Sequence, residues 1–214
     1  RQEIVRRYYD SLNSLLKGNS PEEEAQKIEL LMNQANVTIE DRHVVAAALK
    51  RAEETHTPAA ALELDDGRII TGKTTNLLGA SAALLLNVIK ELAGLKHELH
   101  IISPESIEPI QKLKVELSEK TKPRLHTDEV LIALSASAAT NPDARLALQQ
   151  LSKLNGCQAH TSVMLSDVDI RTFKRLGVQL HAKLFMKPDI IITKSDPLLM
   201  GEDFFNKRGN IYCS

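Results

Sequence analysis

Ala60–Gly94, AALELDDGRIITGKTTNLLGASAALLLNVIKELAG, is the stretch on which the fold turns. Two short runs of small and β-branched residues, Ala60–Leu64 and Arg68–Thr71, flank Asp65-Asp66-Gly67, whose glycine can take positive φ, so the spacing predicts a hairpin. Gly72–Asn76 is the polar connection to a helix. There Leu77, Leu78, Leu84, Leu85, Val88, Ile89 and Leu92 leave little of the circumference polar, and burial on most sides is expected. This helix is the expected centre of the core.

Upstream, the pattern is helical. Gln2–Leu16 spaces Ile4, Val5, Tyr8, Leu12, Leu15 and Leu16 by threes and fours and stops at Gly18. Ser20-Pro21-Glu22-Glu23 predicts a second helix with Ser20 as cap and Ile28, Leu30, Leu31 and Met32 on the buried side. Thr38–Asp41 reads as a capping box that opens a third helix through Val44, Val45, Ala48 and Leu49. His43 lies among these apolar positions with no partner at metal spacing, which predicts a hydrogen-bonded histidine rather than a ligand.

Downstream, strand and helix alternate. A strand is expected at Glu98–Ile102, and helices at Pro104–Glu119, Asp128–Ala139 capped by Thr127, and Pro142–Leu154 capped by Asn141. Cys157–Val163 reads as a strand, Ser166 caps a helix reaching Leu176, and Gly177 releases a strand at Val178–Leu180. The expected class is therefore α/β: a three-layer mixed sheet between helices across residues 58–182. A helical segment at residues 1–57 precedes it, and an extension at 183–214 with a last strand at Ile190–Ile192 follows.

Composition narrows the function classes. The 214 residues are 43% hydrophobic and 26% charged, enough apolar content for one sizeable core. Lys and Arg number 27 against 28 Asp and Glu, a formal net charge of -1, so no basic field gathers nucleic acid or an anionic membrane. Aromatic residues are 3% and Trp is absent, which removes the stacking platform of single-strand binders. Cys157 and Cys213 are the only cysteines, matching a reduced cytoplasm rather than a disulfide framework. No run reaches membrane-spanning length, and RQEIVRRYY at the start lacks an initiator Met and a signal peptide, so a piece of a longer cytoplasmic protein is expected.

Several motifs suggest chemistry. Gly67-Arg68-Ile69-Ile70-Thr71-Gly72-Lys73-Thr74 matches the P-loop pattern in letters, but its first glycine closes a hairpin and its variable positions are a strand, so no phosphate cradle is expected from it. Lys73, Thr74, Thr75 and Asn76 instead precede a helix N-terminus, where free N–H groups, the dipole and a lysine favour an anion. His97 and His100 are three apart on an expected strand, which separates their rings and excludes a metalloprotease pair. Cys157 and His160 face opposite sides of a regular strand for the same reason, so Cys157 is expected to be a buried structural thiol. His160 and Thr161, at a strand's carboxyl end, are the better ligand candidates. Asn141, near Ser137 and Thr140, is either a helix cap or a polar contact.

RQEIVRRYY, LELDDGRIITGKTTNLLGASAALLLNVIK, LHIISPESIEPI, DEVLIALSASAATNPDARLAL, LNGCQAH and TFKRLGV together resemble the C-terminal half of a bacterial family of uncharacterised proteins, domain of unknown function 1846. The resemblance runs from Arg1 to Val178 and implies that a separate N-terminal α/β domain is a partner absent from this chain. The hairpin and following helix are also similar in layout to the cytidine-deaminase fold, without its zinc motifs: Asn76–Ser81 and Thr140–Asp143 stand where the ligands would fall. That likeness implies a zinc-independent enzyme with no cofactor, holding an anionic, nucleotide-like or phosphorylated metabolite. Lys73, Thr74, Asn76, Asn141, His160 and Thr161 are its expected ligand residues, and His160 is the catalytic candidate. The alternative expectation is a structural or dimerisation domain, in which the Ala- and Ser-rich helices make close contacts in a homo-oligomer. Whether the chain catalyses a reaction is left open between the two.

Overall fold

The computed structural model describes residues 1–16, 18–118 and 123–182. The hairpin forms as β1, Ala59–Glu63, and β2, Ile69–Lys73. Its turn closes through the Gly67 N–H to the Leu64 carbonyl and the Leu64 N–H to the Arg68 carbonyl, both 2.9 Å, with Gly67 at φ +82°. On its other edge β1 pairs antiparallel with β3, Gln158–Thr161, and β3 runs parallel to β4, Gln179–Ala182. Among the described residues the sheet is mixed and four-stranded, in the order β2-β1-β3-β4.

Alternation along the strands sorts the sheet into two faces. Ala60, Leu62, Leu64, Ile70, Ala159 and Leu180 pack with α4, Ala80–Leu92, in the main apolar cluster. Ala61 and Ile69 face the other way and pack with Val44 and Ala48 of α3, His43–Thr55. Helix, sheet and helix therefore form three layers. α1, Gln2–Leu16, and α2, Glu22–Gln34, join the α3 side through Val5, Tyr9, Met32, Val37 and Val45. α6, Thr127–Ser137, and α7, Pro142–Leu148, stack on α4, while α8, Asp167–Arg175, packs beside β4. α5, Pro104–Ser118, precedes α6. The described residues fall in one compact unit, so the helices before residue 57 are packed into the same body as the sheet.

α4 is buried from Ala80 to Leu86 and again from Val88 to Lys90, as its apolar circumference requires. It sits almost on the backbone of β2: a Cβ on Gly72 would lie 2.2 Å from the Leu84 nitrogen. Asn87 fixes the rotation by donating from Nδ2 to the Thr71 carbonyl at 2.9 Å.

Several expectations are corrected. No strand forms at Glu98–Ile102. Buried Lys90 donates from Nζ to the carbonyls of His97 and Leu99, at 2.6 and 3.4 Å, and holds that segment in turns, with His97 and His100 exposed. Ser20 does not cap α2: Pro21 takes that position without a side-chain bond. Leu30 and Leu31 are 57% and 54% exposed, because α2 meets its neighbours along the narrower line of Ala25 and Met32. The capping box at Thr38 exists but closes a 3₁₀ turn, Ile39–Asp41, ahead of α3. His43 is exposed and lies 3.5 Å from the Glu63 carboxylate. The helix expected through Leu154 ends at Leu148 and tightens into a 3₁₀ segment, Gln149–Leu154. The strand expected at Ile190–Ile192 lies outside the described residues.

Gly72→Ala is expected to destabilise the protein by about 3 kcal/mol, because the contact is with helix backbone that no rotamer change can relieve. Urea unfolding checks this through a lowered midpoint at unchanged slope.

Candidate functional site at the strand ends

β2 and β3 end on the same side of the sheet, at Lys73 and Thr161, because both run antiparallel to β1. Beyond them the Thr74 N–H reaches the Pro58 carbonyl at 2.7 Å, and the Ser162 N–H reaches that of Ala59 at 2.8 Å. Thr75 Oγ1 accepts from the N–H groups of Leu77 and Leu78, at 3.2 and 3.0 Å, and turns the chain into α4. Leu78 forms a parallel bridge with Leu125, whose carbonyl accepts the Gly79 N–H at 3.2 Å. Gly79 is the N-cap and has no side chain to cap with. The N–H groups of Ala80, Ser81 and Ala82, all on buried residues, have no acceptor among the described residues.

Lys73 is exposed at this edge, Thr74 is buried and Asn76 is exposed, with its carbonyl accepting from Gln111 Nε2 at 3.0 Å. Thr161 is buried on the α4 face and donates from Oγ1 to the Val163 carbonyl at 2.6 Å. Four of the six expected ligand residues thus share one edge. His160 is one residue further back and on the opposite face, its ring 4.9 Å from that of Tyr9. It stands in register with His181 and near the buried Arg42. Asn141 lies apart, beyond the C-terminus of α6, where its Oδ1 accepts from the N–H groups of Asp143 and Ala144 at 2.9 and 3.3 Å. It is a helix cap. Cys157 is buried in the α4-side cluster, its thiol pushed up by burial, and faces away from His160. A hollow of about 340 Å³ beside Asp65, Asp66 and Lys153 lies at the hairpin turn, at the other end of the strands.

A second cluster at the helix N-termini escaped the sequence reading. Asp169, the third residue of α8, accepts at Oδ1 from the Thr127 N–H and hydroxyl at 3.0 and 2.9 Å. Its Oδ2 accepts from Ser166 Oγ at 2.7 Å and lies 3.1 Å from His126 Nδ1. Thr127 is therefore the first residue of α6 and a donor to α8, not the cap expected of it. Glu129 Oε2 in turn accepts from the His126 N–H and from Lys114 Nζ, both at 2.7 Å. Burial pushes the Asp169 carboxyl up, but bonds from His126, Thr127 and Ser166 outweigh it and hold it down at about 2. The His126 imidazole is raised by the same carboxylate against the opposing effect of burial. The legible signal was Ser166-x-x-Asp169, a capping-box pattern; its crossing to His126 and Thr127 was not visible in sequence.

Among the described residues no group of three or more His, Cys, Asp or Glu could hold a metal ion, and no helix is long and apolar enough to cross a membrane.

Asp169→Asn is expected to cost about 2 kcal/mol at pH 7, from the lowering of its carboxyl from 3.8 to about 2. A depressed carboxyl contributes stability above its unfolded value, so the deficit should shrink as pH falls from 3.8 towards about 2. The imidazole behaves with opposite sign. The contribution of His126 is fully present below its unfolded value of 6.5 and fades as pH rises through the higher folded value, so His126→Ala should cost less in alkaline solution. Urea midpoints across pH read both effects.

The family described as "Domain of unknown function DUF1846, C-terminal" matches residues 40–185. A UPF0371 protein of Corynebacterium efficiens is 53% identical over 178 residues, covering 83% of this chain and 36% of that protein. One from Corynebacterium urealyticum is 52% identical over 178 residues, with the same shares, 83% and 36%. One from Streptococcus pyogenes serotype M5 is 44% identical over 194 residues, covering 87% of this chain and 39% of that protein. This chain spans a little over a third of the length of these relatives, whose names state no activity. The match falls on the sheet, α3 to α8 and the strand-end edge, and the chain belongs to the DUF1846 family through its C-terminal domain.

Proposed function

We propose that the edge bearing Lys73 is one wall of a binding site for the anionic part of a small metabolite, a phosphate ester or nucleotide-like molecule. The site belongs to a zinc-independent cytoplasmic enzyme, and its other wall comes from the family's N-terminal portion. The observation that carries this reading is the uncapped, buried N-terminus of α4. Three N–H groups without acceptors at the positive end of a 13-residue helix favour an oxyanion. Lys73, exposed where the preceding strand ends and on its α3 side by alternation, supplies a mobile charge that its long side chain carries round the strand end. Thr74, Asn76 and Thr161 lie at the same edge and contribute polar groups. Asn141 is left out because its acceptor serves its own helix, and His160 because its buried ring packs against Tyr9 of α1. In this reading the hairpin and α4 occupy the place where a cytidine-deaminase-like enzyme builds its pocket.

A second reading, an assembly domain, is favoured by apolar side chains left in solvent. Leu117 on α5 is 77% exposed and Ile132 on α6 67%, surfaces that a second copy or the N-terminal portion would cover.

Thermal unfolding of the full-length protein with phosphate esters and carboxylates separates the two. A ligand at a hundred times its dissociation constant adds about 2.7 kcal/mol, and a tenfold weakening in Lys73→Ala cuts that to about 1.4 kcal/mol. Equal affinity of parent and Lys73→Ala for every such ligand would sink the anion site. A melting temperature that falls on dilution, with no ligand response, would favour assembly.

A further inference from the structure

The α1 side of β3 and β4 is polar where the α4 side is apolar. Gln158 and His160 on β3 stand in register with Gln179 and His181 on β4. Arg42, the residue before α3, is fully buried over them. Its Nε donates to Gln158 Oε1 at 3.1 Å and its Nη2 to the Gln179 carbonyl at 3.2 Å, both neutral acceptors. Its Nη1 is buried with no acceptor, and no carboxylate among the described residues pairs with the guanidinium. Burial lowers the Arg42 pKa to about 10, helped by repulsion from Arg6, so the charge persists at neutral pH. A buried guanidinium served only by neutral groups is a poor arrangement unless an anion joins it.

A second buried, unpartnered nitrogen lies close by. His181 is two residues along β4 from Gln179, on the same face, about 6–7 Å away at the backbone. Its Nδ1 sits 3.0 Å from Asp10 Oδ1, while its Nε2 is buried with no partner. Asp10 accepts from Arg6 Nη1 at 2.8 Å and makes no hydrogen bond to Arg42, so its charge favours the guanidinium only across the layer and leaves Nη1 without an acceptor. We propose that this layer between α1 and the β3–β4 pair is an oxyanion site, in which a phosphate or carboxylate group is held by Arg42 Nη1 and by Nε2 of His181 as the imidazolium, whose Nδ1 faces Asp10. Donors set on two separate side chains suit an oxyanion with two or more oxygens better than a spherical halide. The site is separate from the Lys73 edge: Lys73 is on β2, two strands from β3, and its reading stands or falls independently.

The test is calorimetric titration of the full-length protein with inorganic phosphate and, separately, acetate, on the parent, Arg42→Met and His181→Gln, each repeated in a Lys73→Ala background that removes the lysine of the other proposed site. Arg42→Met preserves volume and removes the buried charge, so folding should survive. The expected result is a dissociation constant raised at least tenfold by Arg42→Met and severalfold by His181→Gln, in the Lys73→Ala background as in the parent. Should Arg42→Met not fold, the parent and His181→Gln decide by the same comparison. Absence of phosphate and acetate binding by the parent overturns the proposal, as does equal binding by parent and the variants at Arg42 and His181. If the parent binds neither anion yet Arg42→Met is severely destabilised, a carboxylate of the protein itself fills the place, which also overturns a site for a free ligand.

Discussion

Helix α4 can lie on β2 because Gly72 has no side chain, and much else follows from that contact. With 2.2 Å between a notional Cβ and the Leu84 nitrogen, the helix axis has one height above the sheet. At that height Leu84, Leu85, Val88 and Ile89 are fully covered, and Asn87 can reach the Thr71 carbonyl. The position of the axis also sets where the helix begins. Its first turn meets Leu125, the Leu77 carbonyl accepts the Leu125 N–H at 2.9 Å, and α6 starts two residues later. A core contact of backbone against backbone thus places the strand-end edge. No packing of side chains alone would fix it so closely.

Ser166, His126 and Asp169 are the residue types of a hydrolase triad, and their geometry excludes that role. In a triad the carboxylate and the hydroxyl occupy opposite nitrogens of the ring, so that a proton can pass from hydroxyl to imidazole while the acid orients it. Here Ser166 Oγ and Asp169 Oδ2 both lie at Nδ1, at 3.4 and 3.1 Å, and the hydroxyl donates to the carboxylate instead. One buried acid is shared between the N-termini of α6 and α8, each a positive helix end. The cluster is a tie between two helices, and the depressed carboxyl reports how many donors converge on it.

Elements governed by local patterns were legible in the sequence. The hairpin followed from Asp65-Asp66-Gly67, α4 from its apolar circumference, and the helix at Asn141-Pro142 from cap chemistry. What failed depended on contacts remote in sequence. Glu98–Ile102 has strand composition, yet Lys90 claims two of its neighbouring carbonyls, and an alternating pattern cannot announce a lysine seven residues back. Leu30 and Leu31 look like core because periodicity cannot tell how wide a stripe the neighbouring helix will cover. For the site, the strand-end group of Lys73, Thr74, Asn76 and Thr161 was readable from where the elements stop. The separation of His160 and Asn141 required the sheet order, which no single stretch encodes.

The two faces of the sheet explain why His160 looked catalytic in sequence and stands elsewhere in space. On the α4 face the strands carry Ala60, Leu62 and Ala159, and at the strand end Thr161 brings a hydroxyl. On the α1 face the same strands carry Gln158, His160, Gln179 and His181, beneath a buried arginine. A period of two turns adjacent residues to different solvents, so His160 and Thr161, neighbours in the chain, belong to different chemistry. With a net charge of -1 spread over 214 residues, the chain has no long-range field to gather an anion. An anion held as proposed would therefore depend on short-range donors without acceptors. Those donors stand on opposite sides of the sheet: the first turn of α4 on one, Arg42 and His181 on the other.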